Sequence, residues 1–300
     1  MGMLHIHPDF AHLLRHHDLR TFGDFFHYCD GETIGTHPTR SVVKIKLGGF
    51  VAYLKREYCL PWKEYFGSWW AGFGCVSKSR REWRVLRALQ AIGIGCPEAI
   101  AVGEEDGRAF LLIRALPAVQ DLQSYLTEGH GADWVVRRQL ARYLGEAVAR
   151  LHEAGFTHPD VYAKHVFVDV DDQAISFIDF QRTRFRRWVP WASRWRDLAA
   201  LNASLSEGLV STRDRLACLS AYLRYAGRAD GRTRRLALHA IARRTRHLSR
   251  RRKIRAMHRA QTDAAGARIE YRRIVIHEDP LRANSASPAQ SPSGSEDQTP

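Results

Sequence analysis

The stretch THPDVYAKHVFVDVDDQAISFIDF, which contains His158 to Asp179, constrains this chain more than any other part of it. It opens with a carboxylate in a His158-Pro159-Asp160 turn and carries His165 five places later. An apolar run (Val166 to Val168), an acidic turn (Asp169 to Asp172) and a second apolar run (Ile175 to Ile178) follow, and the last run ends on Asp179. Two short β-rich runs around a turn-rich tetrad predict a β-hairpin. Antiparallel pairing folds the chain back, so Asp179 is expected close to His165 and within reach of Asp160. The alternative is an ordinary hairpin with polar ends.

That order of residues has a chemical use. In protein kinases a loop of the form H-R-D-x-x-x-x-N carries the base that accepts a hydroxyl proton, and its Asn holds magnesium. A D-F-G tripeptide after the next hairpin supplies a second magnesium ligand. Here His158-Pro159-Asp160 stands for the first motif, His165 occupies the Asn position, and Asp179-Phe180-Gln181 stands for the tripeptide.

Upstream, Phe22 to Tyr28, Val42 to Leu47 and Phe50 to Tyr58 read as strands. Small residues at positions 30 to 36 are expected either to cover phosphates through free backbone N–H groups or to form a plain hairpin loop. Strand alternation puts Lys55 on the face of Val51 and Tyr53, where a lysine needs an anion or must reach out to solvent. Ser79 to Ile92 reads as an amphipathic helix. Its Glu82 is either the ion-pair partner of Lys55 or half of a Ser79-x-x-Glu82 capping box. Ala99 to Glu104 and Arg108 to Arg114 form a further hairpin that runs into Ala115-Leu116-Pro117, a linker suited to a hinge where adenine bonds backbone groups. Ala132 to Ala154 is a long helix with one apolar stripe, stopped by Gly155. Helices are expected from Arg194 and over Thr212 to Tyr225. Asp197 either braces the His158 turn from below or favours its own helix start by charge.

The 300 residues, 45% hydrophobic and 26% charged, suit one two-lobed domain or two small ones. A formal net charge of +14 implies an anionic partner: nucleic acid, a phospholipid surface or a phosphorylated glycan. Much of that charge lies between Arg228 and Arg259, a basic run that is either a solvated helical face or a docking surface for anionic membrane. Five scattered cysteines without C-x-x-C spacing argue for a reducing compartment and against a disulfide framework or zinc site. No apolar stretch is long enough to span a bilayer, and the first residues lack signal-peptide features. The tract with His5, His7, His12, His16 and His17 reads as a lightly ordered surface extension rather than a metal site. Residues 282–300 have a disordered composition.

With these pieces in order, the chain resembles the bacterial lipopolysaccharide core kinases, protein-kinase-like enzymes that phosphorylate heptose or Kdo. The resemblance runs from about residue 40 to 225 and rests on AYLKRE, SRREWRVLRALQAIGIGCPEA, THPDVYAKH, FIDFQR and SRWRDLAALNASL. It implies an α+β, two-lobed protein-kinase-like fold. The expected divisions are an extension at 1–20, a nucleotide-binding N-lobe at 21–117, a C-lobe at 118–260 and a tail at 261–300. It further implies ATP as phosphoryl donor with Mg²⁺, Asp160 and His158 as catalytic residues, Lys55 and Glu82 positioning the nucleotide, and Asp179 with His165 at the metal. The acceptor would be the lipopolysaccharide core glycolipid, met from the cytoplasm at the anionic inner-membrane surface; nucleic acid is not an expected partner. Two rivals are a kinase of the same fold for a metabolite, antibiotic or protein, and a non-enzymatic nucleic-acid-binding protein. Pro159 stands where protein kinases carry Arg, and the full glycine-rich phosphate motif is missing.

Overall fold

The computed structural model describes residues 2–129, 133–251, 254 and 257. Met1–Leu248 form one compact unit that holds both lobes, and Ser249–Pro300 form a second, described only at 249–251, 254 and 257. The expected tail at 261–300, Arg252 and Lys253 of the basic run, and the expected helix start at Ala132 lie outside the described residues.

The chain begins with strand β1 (Met3–Ile6) and helices α1 (Ala11–His16) and α2 (Phe22–Phe26). Strands β2 (Glu32–His37), β3 (Arg40–Leu47) and β4 (Phe50–Glu57) follow, then helices α3 (Trp62–Trp70) and α4 (Lys78–Ala91), and strands β5 (Ala99–Glu105) and β6 (Arg108–Arg114). The strands make one six-stranded antiparallel sheet in the order β1-β5-β6-β4-β3-β2. Period-two alternation decides its faces. Ala52 and Leu54 of β4 join Val43, Ile45 and Leu47 of β3 in a core with Phe110 and Leu112 of β6, while Val51, Tyr53 and Lys55 point to the other side.

That core corrects the reading of the first twenty residues as a lightly ordered extension. β1 pairs with β5, and Phe10, Leu14 and Leu19 are buried against the back of the sheet together with Phe22, Phe25 and Phe26 of α2. Leu14 and Leu19 sit at apolar positions among polar and histidine residues, and a sheet face this apolar needs a cover. The strand expected at Phe22 to Tyr28 is the short helix α2. Thr21 and Asp24 form a reciprocal capping box at its start, so local hydrogen bonding overrides the strand preference of the phenylalanines. α4 covers the opposite face of the sheet through Val85, Leu86 and Leu89. Its N-cap is Ser77, whose hydroxyl accepts from Arg80 N, so the Ser79–Glu82 capping box does not form.

The second lobe comprises β7 (Val119–Asp121), α5 (Leu122–Thr127), α6 (Trp134–Glu153), β8 (Phe156–Thr157), β9 (Val166–Asp169), β10 (Ile175–Phe177), β11 (Arg184–Phe185), α7 (Trp191–Ser204) and α8 (Thr212–Tyr225), with helical residues 231–248 beyond. α6 buries the expected stripe of Leu140, Leu144, Val148 and Leu151. Gly145 lets α8 approach closely, since a Cβ there would lie 2.2 Å from the Cys218 carbonyl oxygen. Gly155, at φ +89, turns the chain out of α6 toward the His158 turn.

Beneath that turn lies a buried polar pillar. Asp197 of α7, with its carboxylate fully enclosed, accepts the His158 backbone N–H at 2.8 Å, the Arg196 Nε–H at 2.8 Å, and His152 Nε2–H at 3.3 Å. Burial opposes its charge, but the His152 hydrogen bond and the Arg196 cation prevail, holding the carboxyl below its ordinary range. Burial keeps His152 neutral, its Nδ1 accepting from the Tyr222 hydroxyl at 2.8 Å. The His158 ring donates from Nε2 to the Ile178 carbonyl at 3.0 Å, and its Nδ1 is buried with no partner among the described residues. Protonating Nδ1 would bury an unpaired charge, so burial depresses this histidine to about 4.

Between pH 6.5 and 4 the unfolded chain therefore binds a proton at His158 that the folded chain refuses. Stability from this group is complete above pH 6.5 and is lost as pH falls toward 4, by about 3 kcal/mol over the whole window. His158→Gln keeps a donor for Ile178 and removes the titration. In urea unfolding, its loss of stability from pH 7 to pH 5 should be smaller than the parent's by about 2 kcal/mol. Equal losses would mean that His158 is not held neutral.

Candidate active site

The hairpin β9–β10 pairs Val166 with Phe177 and Val168 with Ile175, and Ile178 N donates to the His165 carbonyl at 3.0 Å. This register delivers Asp179 beside His165, and His165 Nε2 lies 3.8 Å from Asp179 Oδ2. Asp179 adopts a left-handed backbone (φ 63, ψ 62), a conformation that aspartate tolerates better than most residues, and so leaves the strand direction where the hairpin ends. His165 Nδ1 lies 2.7 Å from the Asp160 carbonyl oxygen. A carbonyl only accepts, so Nδ1 carries a proton, and Nε2 is the ring nitrogen that faces Asp179. The three groups expected to converge at one end of the hairpin do so, linked through the Asp160 main chain.

The Asp160 carboxylate is mostly buried, and its Oδ1 accepts from Arg182 Nη1 at 2.8 Å. Arg182 is itself largely exposed, so the pair orients the carboxylate more than it stabilises the fold. Oδ1 is thereby occupied, and Oδ2 is the oxygen left to meet another hydrogen-bond donor. His158, expected as a catalytic residue, is corrected to a positioning one. Its ring is 1% exposed, packs on Phe180 with centroids 5.0 Å apart, and joins the Asp160 turn to the Asp179 strand without reaching the cleft.

From the other lobe, Lys55 Nζ of β4 meets Glu82 Oε1 of α4 at 2.7 Å, with the Glu82 side chain 3% exposed. The pair forms, and with Ser77 as the helix cap, Glu82 is the partner of Lys55. Both line a cavity of about 430 Å³ together with Gly35, Arg40, Asp179 and Gln181. The β2–β3 hairpin overhangs this cavity. Residues Gly35 to His37 are strand, and the turn falls beyond them, before Arg40. Arg40 Nη1 donates to Gln181 Oε1 at 3.2 Å and ties the hairpin to the segment after Asp179. Below it, burial pushes the Glu57 carboxyl up, against the pull of two hydrogen bonds from Ser79. At the expected hinge, Arg114 N and Ala115 N already donate to Glu98 and Val51, so those two groups are committed within the sheet.

A cleft with Lys55 and Arg40 on one side and Asp179 on the other suits a polyphosphate. The described residues hold no cluster of three or more His, Cys, Asp or Glu side chains able to hold a metal alone. Asp179 offers the oxygen donor that magnesium prefers, whereas the imidazole nitrogen of His165 is a poor ligand for it, so a magnesium ion here would draw its other ligands from phosphate and water. The roles of Arg182, Arg40 and Gln181 were not read from sequence. The only signal for Arg182 was its place in FIDFQR, and pairing with Asp160 depends on how the chain turns after Asp179.

Comparison with known proteins identifies the family. The profile of the lipopolysaccharide kinase (Kdo/WaaP) family matches residues 61–222. The chain is 30% identical over 203 residues to the lipopolysaccharide core heptose(I) kinase WaaP of Pseudomonas aeruginosa, covering 62% of this chain and 74% of that protein. It is 33% identical over 174 residues to the 3-deoxy-D-manno-octulosonic acid kinase of Xanthomonas oryzae pv. oryzae, covering 55% and 61% of the two chains. A solved structure of WaaP in complex with acyl carrier protein superposes with a TM-score of 0.65 at 23% identity, over 82% of this chain and 99% of the other, a likeness of fold. The fold is the two-lobed, protein-kinase-like α+β arrangement, and the chain belongs to the lipopolysaccharide kinase (Kdo/WaaP) family.

Proposed function

We propose that this chain is an ATP-dependent kinase that transfers the γ-phosphoryl group to a sugar hydroxyl of the lipopolysaccharide inner core, on heptose or Kdo. The observation that carries it is the Lys55–Glu82 pair facing Asp179 across one cavity, with the Asp160 turn joined to Asp179 through His165. Family membership supports the acceptor class, since the named relatives act on heptose and Kdo. A nucleic-acid-binding protein would explain the positive charge but would have no use for this pair. An acceptor outside the lipopolysaccharide core would use the same cleft, and an acceptor panel separates the two.

Glu82 fixes Lys55 so that its ammonium meets the triphosphate in a set position, and Arg40 closes from the hairpin. Asp179 would hold magnesium together with the phosphates, with His165 beside it reaching the ion through water, and the ion would supply neutralisation of phosphate charge. Asp160 Oδ2 accepts the proton of the sugar hydroxyl as that oxygen bonds to the γ-phosphorus. The bond from phosphorus to the β-phosphate oxygen breaks, and ADP leaves. Because the transition state is loose, the protein contributes mostly position and charge. The basic residues from Arg228 onward would draw the enzyme to the anionic inner-membrane surface where a lipid-linked acceptor lies.

Two predictions test these roles. Asp160→Asn should lower turnover of a dephosphorylated core oligosaccharide by roughly 10²- to 10⁴-fold while leaving Mg-ATP affinity near that of the parent. Asp179→Asn should also abolish transfer, but by removing the magnesium-dependent part of nucleotide binding in titration calorimetry. The reverse pattern would exchange the two assignments. Lys55→Ala should cost on the order of 100-fold in kcat/KM, and adding Glu82→Ala should cost little more, because residues acting as a unit are non-additive. Fully additive losses in this cycle would show that Glu82 does not act through Lys55.

A further inference from the structure

Between β4 and α4 the chain inserts α3, and this helix is inside out. Trp62, Phe66, Trp69 and Trp70 are 80%, 55%, 55% and 62% exposed. At 3.6 residues per turn these four side chains fall within an arc of about 100°. The inward face is the polar one: Ser68 is buried, and Glu64 is turned in to pair with Lys78. Solvent-facing aromatic groups this large and contiguous are rare unless something covers them.

The surface continues onto a second segment. Phe185 N donates to the Ala71 carbonyl at 2.8 Å, at the C-terminal end of α3. Gly72, at φ +93, makes room for that approach, since a Cβ there would lie 2.4 Å from the Phe185 carbonyl oxygen. Residues 184–188 read Arg-Phe-Arg-Arg-Trp, and all five are exposed. They add two aromatic rings and three guanidinium groups beside the α3 face, and Lys63 adds a further exposed cation. Glu64, the only acid in α3, is withdrawn into its ion pair, and residues 184–188 contain none.

Tryptophan and phenylalanine interleaved with cations, and no opposing acid, match the chemistry of an anionic bilayer interface. Indole rings settle at headgroup depth with their N–H hydrated, and arginines meet lipid phosphates. We propose that α3 and residues 184–188 form a docking surface that seats on an anionic phospholipid membrane. Its use to the reaction rests on the kinase reading above: residue 184 follows Asp179 by five positions, so the surface brings a lipid-borne acceptor to the mouth of the site.

The test uses the full chain and vesicles of phosphatidylethanolamine with phosphatidylglycerol, in co-sedimentation at low and high salt. High salt screens the attraction of the basic run beyond Arg228, whereas aromatic insertion persists. Combining Trp62→Ser, Trp69→Ser and Trp70→Ser should weaken partition at least about tenfold at high salt, with an unchanged urea midpoint because all three are exposed. Arg186→Gln with Arg187→Gln should weaken binding at low salt only. Turnover of a soluble core oligosaccharide should be unaffected by either set. If the parent does not bind these vesicles at high salt, or the triple variant binds as well as the parent, the proposal is overturned. It is equally overturned if the triple substitution converts a self-associating parent to monomer without changing vesicle binding. Absence of turnover in every protein, parent included, would instead sink the kinase reading and leave the vesicle result standing.

Discussion

The geometry of the site hangs on the buried carboxylate of Asp197. A charge with no access to water persists only when its oxygens are fully engaged, and here a backbone amide, an imidazole and a guanidinium engage them. The backbone amide belongs to His158, so the requirement that stabilises the ion also pins the first residue of the Asp160 turn. From that anchor the placement passes along two short routes. The His158 ring bonds Ile178, next to Asp179, and the Asp160 carbonyl bonds His165, which faces Asp179.

The two lobes are joined with equal economy. At the back of the cleft the Gly95 carbonyl accepts from Phe177 N at 2.9 Å, and Gly95 and Ser176 form a parallel bridge. A Cβ at position 95 would lie 2.3 Å from the Ile175 carbonyl oxygen, so the approach depends on glycine. The same apolar cluster runs from Val85 and Leu111 of the first lobe to Phe177 and Phe180 of the second. At the front, Arg40 and Gln181 make an exposed side-chain contact, which water and salt weaken readily. A stiff rear seam and a soft front contact suit a cleft that admits a nucleotide from the front while Lys55, Glu82 and Asp179 keep their places.

Much of this was legible in the sequence because it is local. The β9–β10 hairpin, the side of β4 that bears Lys55 and the stripe of α6 follow from periodicities of two and 3.6, and the structure shows them. Glu82 was ambiguous between cap and ion pair because both uses ask for the same residue type. The decision came from Ser77, which takes the capping position two residues earlier than the motif suggested. What stayed illegible is tertiary. Phe10, Leu14 and Leu19 look unremarkable among histidines until the bare back of the sheet is in view. Arg182 finds Asp160 only through the turn after Asp179, and the outward setting of the α3 tryptophans depends on how that helix packs.

The segment between Asp179 and α7 shows how the chain has adapted the fold. In protein kinases the corresponding stretch is a mobile loop ordered by phosphorylation. Here it is short and bonded along its length. Arg184 and Phe185 pair with Thr157 and Phe156, Phe185 N bonds Ala71, and Arg186 N bonds the Gly155 carbonyl at 2.9 Å. Pro159 stands where a loop-controlling arginine would be, so neither the cation nor the free segment needed for that switch is present among these residues. With Arg182 bonded to Asp160, this segment also holds the His158–Asp160 turn from its exposed side.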